Sequence, residues 1–83
     1  MSLNLERAAM QGRLAELKAL RERLRNKIKG EADAMRPKLN LTLTRPDELD
    51  VPVIDELWDG LKAAWAELVA ANQDIRALER ELN

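Results

Sequence analysis

The chain has 83 residues, no cysteine and no histidine, and a net charge of −1 at pH 7. A chain of this length forms one domain at most, and it is marginally stable without a disulfide, a metal or a partner. The missing cysteines and histidines exclude disulfides, nucleophilic triads and the metal sites that need these residues. We therefore predict no metal and no cofactor, and we expect stability to come from an assembly of several chains.

The small net charge conceals a division along the chain. Residues 1–30 carry eight basic and three acidic side chains, whereas residues 31–83 carry six basic and twelve acidic ones. The two parts are therefore electrostatically complementary. No apolar run is long enough to cross a bilayer, and the first ten residues lack the pattern of a secretory signal. We predict a cytoplasmic protein with no membrane partner and no small-molecule substrate.

The first predicted element is a helix over about residues 5–36. Its apolar residues recur at spacings of three and four, which indicates an amphipathic helix. They take positions a and d of a seven-residue repeat, abcdefg: Met10, Leu14, Leu17, Leu24, Ile28 and Met35. Arg21 falls at an a position and Glu31 at a d position, and we expect both side chains to reach out to water. Pro37 is expected to stop the helix, because the residue before a proline avoids helical angles.

The connection between the helices is predicted to cover residues 37–51. Leu39, Leu41 and Leu43 alternate with polar residues, which predicts a short extended segment with one apolar face. These leucines are expected either to cover the end of the helix pair or to pair with a second copy as a small ribbon. Pro46 is followed by acidic residues, and this pattern predicts a single helical turn.

The second predicted helix runs over about residues 52–82 and begins with Pro52. Two apolar columns follow the seven-residue repeat without a miss. Column a holds Ile54, Leu61, Leu68, Ile75 and Leu82, and column d holds Leu57, Ala64, Ala71 and Leu78. Trp58 and Trp65 add a third apolar column at position e, so the apolar face is wider than a two-helix seam needs. Gly60 is expected to allow the close approach of another backbone.

Two helices of similar length with one connection predict an all-α antiparallel hairpin that resembles a coiled coil. A register with Arg36 opposite Pro52 sets large residues against small ones, which fills space well. This register predicts four pairs: Leu17 with Ala71, Leu24 with Ala64, Met10 with Leu78, and Arg13 with Asp74.

One hairpin cannot cover the third apolar column, and exposed apolar stripes of that size usually mark an interface. The simplest closed arrangement is a two-fold dimer that forms a four-helix bundle. The tryptophans could instead bind an unidentified protein partner, since tryptophan is enriched at such sites. The predicted oligomer interface comprises Leu57, Trp58, Leu61, Trp65, Leu68, Asn72 and Ile75, with Asn72 as a residue that could fix the register.

A run of basic residues lies in the first helix: Lys18, Arg21, Arg23, Arg25, Lys27 and Lys29. Such a run could contact nucleic-acid phosphates. It could also be neutralised within the chain by the acidic start of the second helix, which carries Asp55, Glu56 and Asp59. We favour the second interpretation, because the first helix has no aromatic residue that could stack on bases. The three carboxylates suit the N-terminal end of a helix better than acid–base catalysis.

The sequence therefore predicts a non-enzymatic structural or protein–protein interaction module that self-associates through long amphipathic helices. The alternative is a small nucleic-acid-associated regulatory protein that uses the basic face of the first helix.

Overall fold

The computed structural model describes residues 2–83, and it describes side chains from residue 4 onward. Its elements are helix α1 (Ser2–Lys38), a 3-10 helix (Pro46–Glu48) and helix α2 (Val51–Leu82). Both predicted long helices are confirmed, with α1 extended at both ends. Residues 2–83 contain no β-strand. Neither described helix has an apolar stretch long enough to cross a membrane.

The two helices pack antiparallel, as the sequence predicts. At the open end, Arg7 Nη2 donates a hydrogen bond to the backbone carbonyl of Leu82 over 2.8 Å. The Cα atoms span 66 × 15 × 14 Å, so the molecule is a rod with the connection at one end. The core follows the predicted seam, and its residues are at most 6% exposed: Leu17, Leu24, Ala64, Ala71 and Ile75. Burial of these leucines and alanines agrees with the predicted layers of large against small side chains.

α1 does not stop before Pro37, and it ends two residues after the predicted residue 36. Pro37 lies inside the last turn, and the helix ends at Lys38. The Leu39 amide still donates to the Met35 carbonyl over 3.2 Å, so helical hydrogen bonding continues past the proline. Proline removes its own N–H donor and crowds the carbonyl four residues earlier. One lost bond near the end of a long helix is a smaller penalty than in its interior.

The predicted extended segment after α1 is not formed. Asn40 folds the chain back on itself: its Oδ1 accepts from the Thr42 amide over 3.0 Å, and its carbonyl accepts from the Leu43 and Thr44 amides. This side-chain bond is an Asx turn, which asparagine makes readily. The alternating leucines had no neighbouring strand with which to pair, so the local turn decided the backbone.

The leucines of this connection do not cover the end of the helix pair. Leu39, Leu41 and Leu43 are 51%, 57% and 82% exposed. The end of the hairpin nearest the connection therefore carries uncovered apolar surface.

The start of α2 is fixed by a short helical turn and by a side-chain cap. The predicted helical turn at Pro46 is confirmed as the 3-10 helix. Asp50 then caps α2, and its side chain accepts a hydrogen bond from the Val53 amide over 3.3 Å. Capping satisfies one of the amides that a helix start leaves without a partner. Because the cap is Asp50, α2 begins at Val51, one residue before the predicted Pro52.

Candidate interaction surface

Arg21 and Glu31 are charged residues in the middle of the α1 seam, and both are partly buried there. Arg21 is half-buried, and its Nε is buried without a hydrogen-bond partner among the described residues. This part of the guanidinium therefore does not reach water as predicted. Glu31 is also half-buried, and its carboxylate lies over Gly60 of α2.

Gly60 makes room for a side chain rather than for a backbone. A Cβ atom built on Gly60 would lie 2.9 Å from Glu31 Oε1 and 3.2 Å from Glu31 Cδ. The prediction of a close approach at this residue is correct, but the prediction that a backbone makes it is wrong. The Glu31 carboxylate of the α1 seam therefore lies against the residue of α2 that has no side chain.

One interhelical ion pair identifies a flank of the hairpin. Lys18 Nζ lies 3.7 Å from Glu79 Oε2, and both residues occupy position e of their repeats. The e columns of α1 and α2 therefore run along the same side of the rod. We call this side the tryptophan flank. From the connection to the open end it comprises Leu39, Ala32, Arg25 and Lys18 beside Val51, Trp58, Trp65, Asn72 and Glu79.

Trp58 and Trp65 stand uncovered on this flank. They are 45% and 59% exposed, as expected for a lone hairpin. Together with Leu61 and Lys62 they line an apolar cleft of about 320 Å³. Lys62 Nζ lies 5.9 Å from the centroid of the Trp58 ring, a distance that allows a cation–π interaction. The cleft thus has aromatic walls and one cation at its edge.

The tryptophan flank is divided along its length. Near the connection it is largely apolar, because Leu39, Val51, Trp58 and Trp65 are all at least 45% exposed. Arg25 is the charged member of the e columns in this half. From Asn72 to the open end it is polar, and the Lys18–Glu79 pair lies in this part. The uncovered apolar surface is therefore concentrated in one half of the rod.

Val51 belongs to this surface, although the sequence predicts that it lies in the connection. It is 60% exposed and lies seven residues before Trp58, which itself lies seven before Trp65. The signal was present as a third member of the e column. Val51 was not predicted to be part of this surface, because Pro52 was taken as the first residue of the helix.

The other residues of the predicted oligomer interface lie deeper. Four of them are half-buried: Leu57, Leu61, Leu68 and Asn72. Ile75 is 1% exposed, so it already belongs to the core of the hairpin and offers nothing to a second chain. Ile75 and Leu61 belong to column a, which lies in the seam between the helices. The tryptophans belong to column e, and they remain exposed to solvent.

The basic run of α1 does not form one face. Lys18 and Arg25 lie at position e, and Lys29 lies beside them at position b. Arg23 and Lys27 lie on the opposite side of the rod, at positions c and g. Arg21 is in the seam. A helix distributes residues that are close in sequence around its axis, so the six cations lie on more than one side of the rod.

The acidic start of α2 does not pair with this run. Arg25 binds Glu22 of its own helix over 2.7 Å, and Asp59 binds Lys62 of its own helix over 3.2 Å. Lys18 is the one member of the run with an ion pair to α2 in the described part of the chain, and its partner Glu79 lies near the far end of that helix.

The predicted pair of Arg13 and Asp74 does not form either, because Arg13 binds Glu16 within α1 over 3.7 Å. Asp55 and Glu56 are exposed near the start of α2. Within the described residues, no group of three His, Cys, Asp or Glu side chains is placed to hold a metal ion. In comparisons with known proteins, no family model, no curated protein and no solved structure matches this chain.

Proposed function

We propose that this chain is a non-enzymatic structural or protein-interaction module that self-associates through its tryptophan flank. The observation that carries the proposal is the exposure of Trp58 and Trp65, at 45% and 59%, in a column that continues to Val51. Aromatic residues that stand in water beside an apolar cleft represent a large area whose burial is favourable. Tryptophan is also the residue type most enriched where binding energy concentrates.

The dimensions of the rod suit a partner of the same length. A face of 66 × 15 Å between Cα extents covers about 990 Å², which exceeds the roughly 800 Å² that each partner contributes to a standard interface. A second copy of the chain has this length and carries the same uncovered stripe. The resulting assembly is a dimeric four-helix bundle, in which the third apolar column of α2 becomes core.

The test is the molar mass in solution, measured by light scattering behind size exclusion over a tenfold range of concentration. We expect a mass of twice 9.4 kDa at the higher concentrations. The double variant Trp58→Ala with Trp65→Ala is expected to weaken association at least tenfold, because hot-spot truncations cost about 2 kcal/mol or more.

The matched control is Leu5→Ala, which truncates an apolar residue that is 74% exposed at an outward position away from the flank. We expect this variant to associate like the parent chain. Helical content by circular dichroism should stay unchanged in all variants, since none of the three side chains belongs to the core. A single-chain mass of the parent at every concentration would overturn the proposal.

A further inference from the structure

We infer that two copies pair with their connections at the same end, so that the two-fold axis runs parallel to the rod and α1 of each copy lies on α2 of the other. This inference rests on the proposed self-association through the tryptophan flank. It adds which elements meet and which ends coincide. Two rods can also meet face to face with their connections at opposite ends, and three observations separate the two arrangements.

The first observation is the division of the tryptophan flank into an apolar half and a polar half. With the connections at the same end, the rods overlap over their full 66 Å, and Trp58 and Trp65 of both copies lie at the same heights. Apolar half then faces apolar half, and polar half faces polar half. Rods in full overlap with opposite ends together would set the apolar half of each copy against the polar half of the other. That arrangement would bury Asn72 and the Lys18–Glu79 pair against tryptophan.

Sliding the opposed rods does not rescue that arrangement. The apolar column from Val51 to Trp65 rises about 21 Å at 1.5 Å per residue. An opposed pair that overlaps only there covers 21 × 15 Å, or about 300 Å² per copy, against the roughly 800 Å² of a standard interface. The same-end arrangement matches the apolar surfaces and keeps the whole face.

The second observation is the charge that each helix carries on the tryptophan flank. At positions e and b, α1 carries Lys18, Arg25, Lys29 and Arg36 against Glu22, a net charge of +3. At the same positions, α2 carries Lys62 and Arg76 against Asp55 and Glu79, a net charge of zero. With the connections together, the cationic side of α1 meets the neutral side of α2 of the other copy. With the connections apart, α1 meets α1, so that the two cationic sides adjoin. Juxtaposed like charges are a strong bias against an arrangement.

The third observation is the exposed apolar surface of the connection itself. Leu39, Leu41 and Leu43 are more than half exposed in the single hairpin. With the connections at the same end, the exposed leucines of two copies come to one end of the assembly, and Leu39 continues the e column of α1 there. With the connections at opposite ends, each set of leucines projects into water. The same-end arrangement thus gathers the uncovered apolar surfaces of both copies at one end.

The chain has no cysteine, so single reporter cysteines can be placed at will. We would prepare Asn83→Cys at the open end and Thr42→Cys in the connection, since both positions are exposed. Each would carry a nitroxide spin label, and pulsed dipolar spectroscopy would give the distance between labels in the full-length dimer. Light scattering on the labelled proteins would establish the mass in the same samples.

The expected result is a short distance for both variants, about 20–35 Å including the label arms, because packed helices lie 8–10 Å apart. Opposed rods in full overlap would give a distance near the 66 Å length of the rod for Asn83→Cys, and slid rods would give a longer one. A dimer with such a long distance overturns this inference and leaves the proposed self-association intact. A single-chain mass overturns both, and a mass above two chains overturns the two-copy arrangement.

Discussion

α1 and α2 line the same seam, but only α2 is apolar at every a and d position. The α1 seam is interrupted by Arg7, Arg21, Glu31 and Lys38. α2 has in addition the exposed Val51, Trp58 and Trp65 outside the seam. The apolar seam of α1 is therefore incomplete, whereas α2 has apolar residues beyond its seam. α1 therefore covers one side of α2 and leaves a second apolar side of α2 exposed.

The sharpest way to test this division is to truncate the seam side of α2. Ile75→Ala removes a side chain that is 1% exposed, and we expect a loss of about 2–5 kcal/mol of unfolding free energy. Urea denaturation followed by circular dichroism measures the change, at one protein concentration for all variants. Leu5→Ala is the control and should stay within about 0.5 kcal/mol of the parent. Equal losses in the two variants would contradict the assignment of Ile75 to the core.

A second variant asks whether the charges of the α1 seam reduce stability. Arg21→Met removes a buried Nε that has no partner in the described structure and keeps a long apolar side chain. We expect a gain of about 1–2 kcal/mol, because a buried donor without a hydrogen bond carries an uncompensated desolvation penalty. The matched control is Arg23→Met on the exposed side of the same helix, with an expected change within about 0.5 kcal/mol. A loss of stability in Arg21→Met would mean that the guanidinium is satisfied in solution.

The glycines of the two helices should respond differently to alanine. A Cβ on Gly12 of α1 would meet no atom within 4 Å, so Gly12→Ala should gain up to about 1 kcal/mol from helix propensity. Gly60→Ala of α2 should gain less, because its Cβ would displace the Glu31 carboxylate from 2.9 Å. In a Glu31→Ala background, Gly60→Ala should recover the full gain. A double-mutant cycle measures this coupling, and a coupling of zero would remove the Glu31–Gly60 contact from the account.

The smallest effect is expected for charges of α1 that face away from the tryptophan flank. Arg23→Glu with Lys27→Glu reverses two exposed charges that form no ion pair in the described structure, and we expect a change within about 0.5 kcal/mol. Thermal or urea unfolding at low and high salt would measure it. A larger, salt-dependent loss would show that these cations act on acidic α2 through longer-range attraction.

The sequence predicted the seam because a seam depends on local periodicity. Apolar residues at spacings of three and four can share one side only in a helix, and the two runs are separated by a segment without that spacing. Two runs of similar length then pack antiparallel. The predicted layers of Leu17 with Ala71 and Leu24 with Ala64 rest on the same spacing, and all four residues are buried.

What the sequence could not decide was which competing local preference would win once the helices were in place. The alternation of Leu39, Leu41 and Leu43 indicates a strand, but a strand needs a partner, and the Asx turn at Asn40 needs none. The inclusion of Val51 in α2 depended likewise on the cap at Asp50, which places the helix start one residue before Pro52.

The sequence by itself determined that this chain forms two amphipathic helices and that α2 has a third apolar column beyond the two of the seam, because both statements need only the order of apolar residues. Only the tertiary structure decided which residues lie beside that third column. It put the e columns of both helices on one flank through Lys18 and Glu79, and it set Glu31 over Gly60 on the other side. Such neighbours depend on how two helices rotate about their axes, and that rotation is set by contacts between residues far apart in the chain.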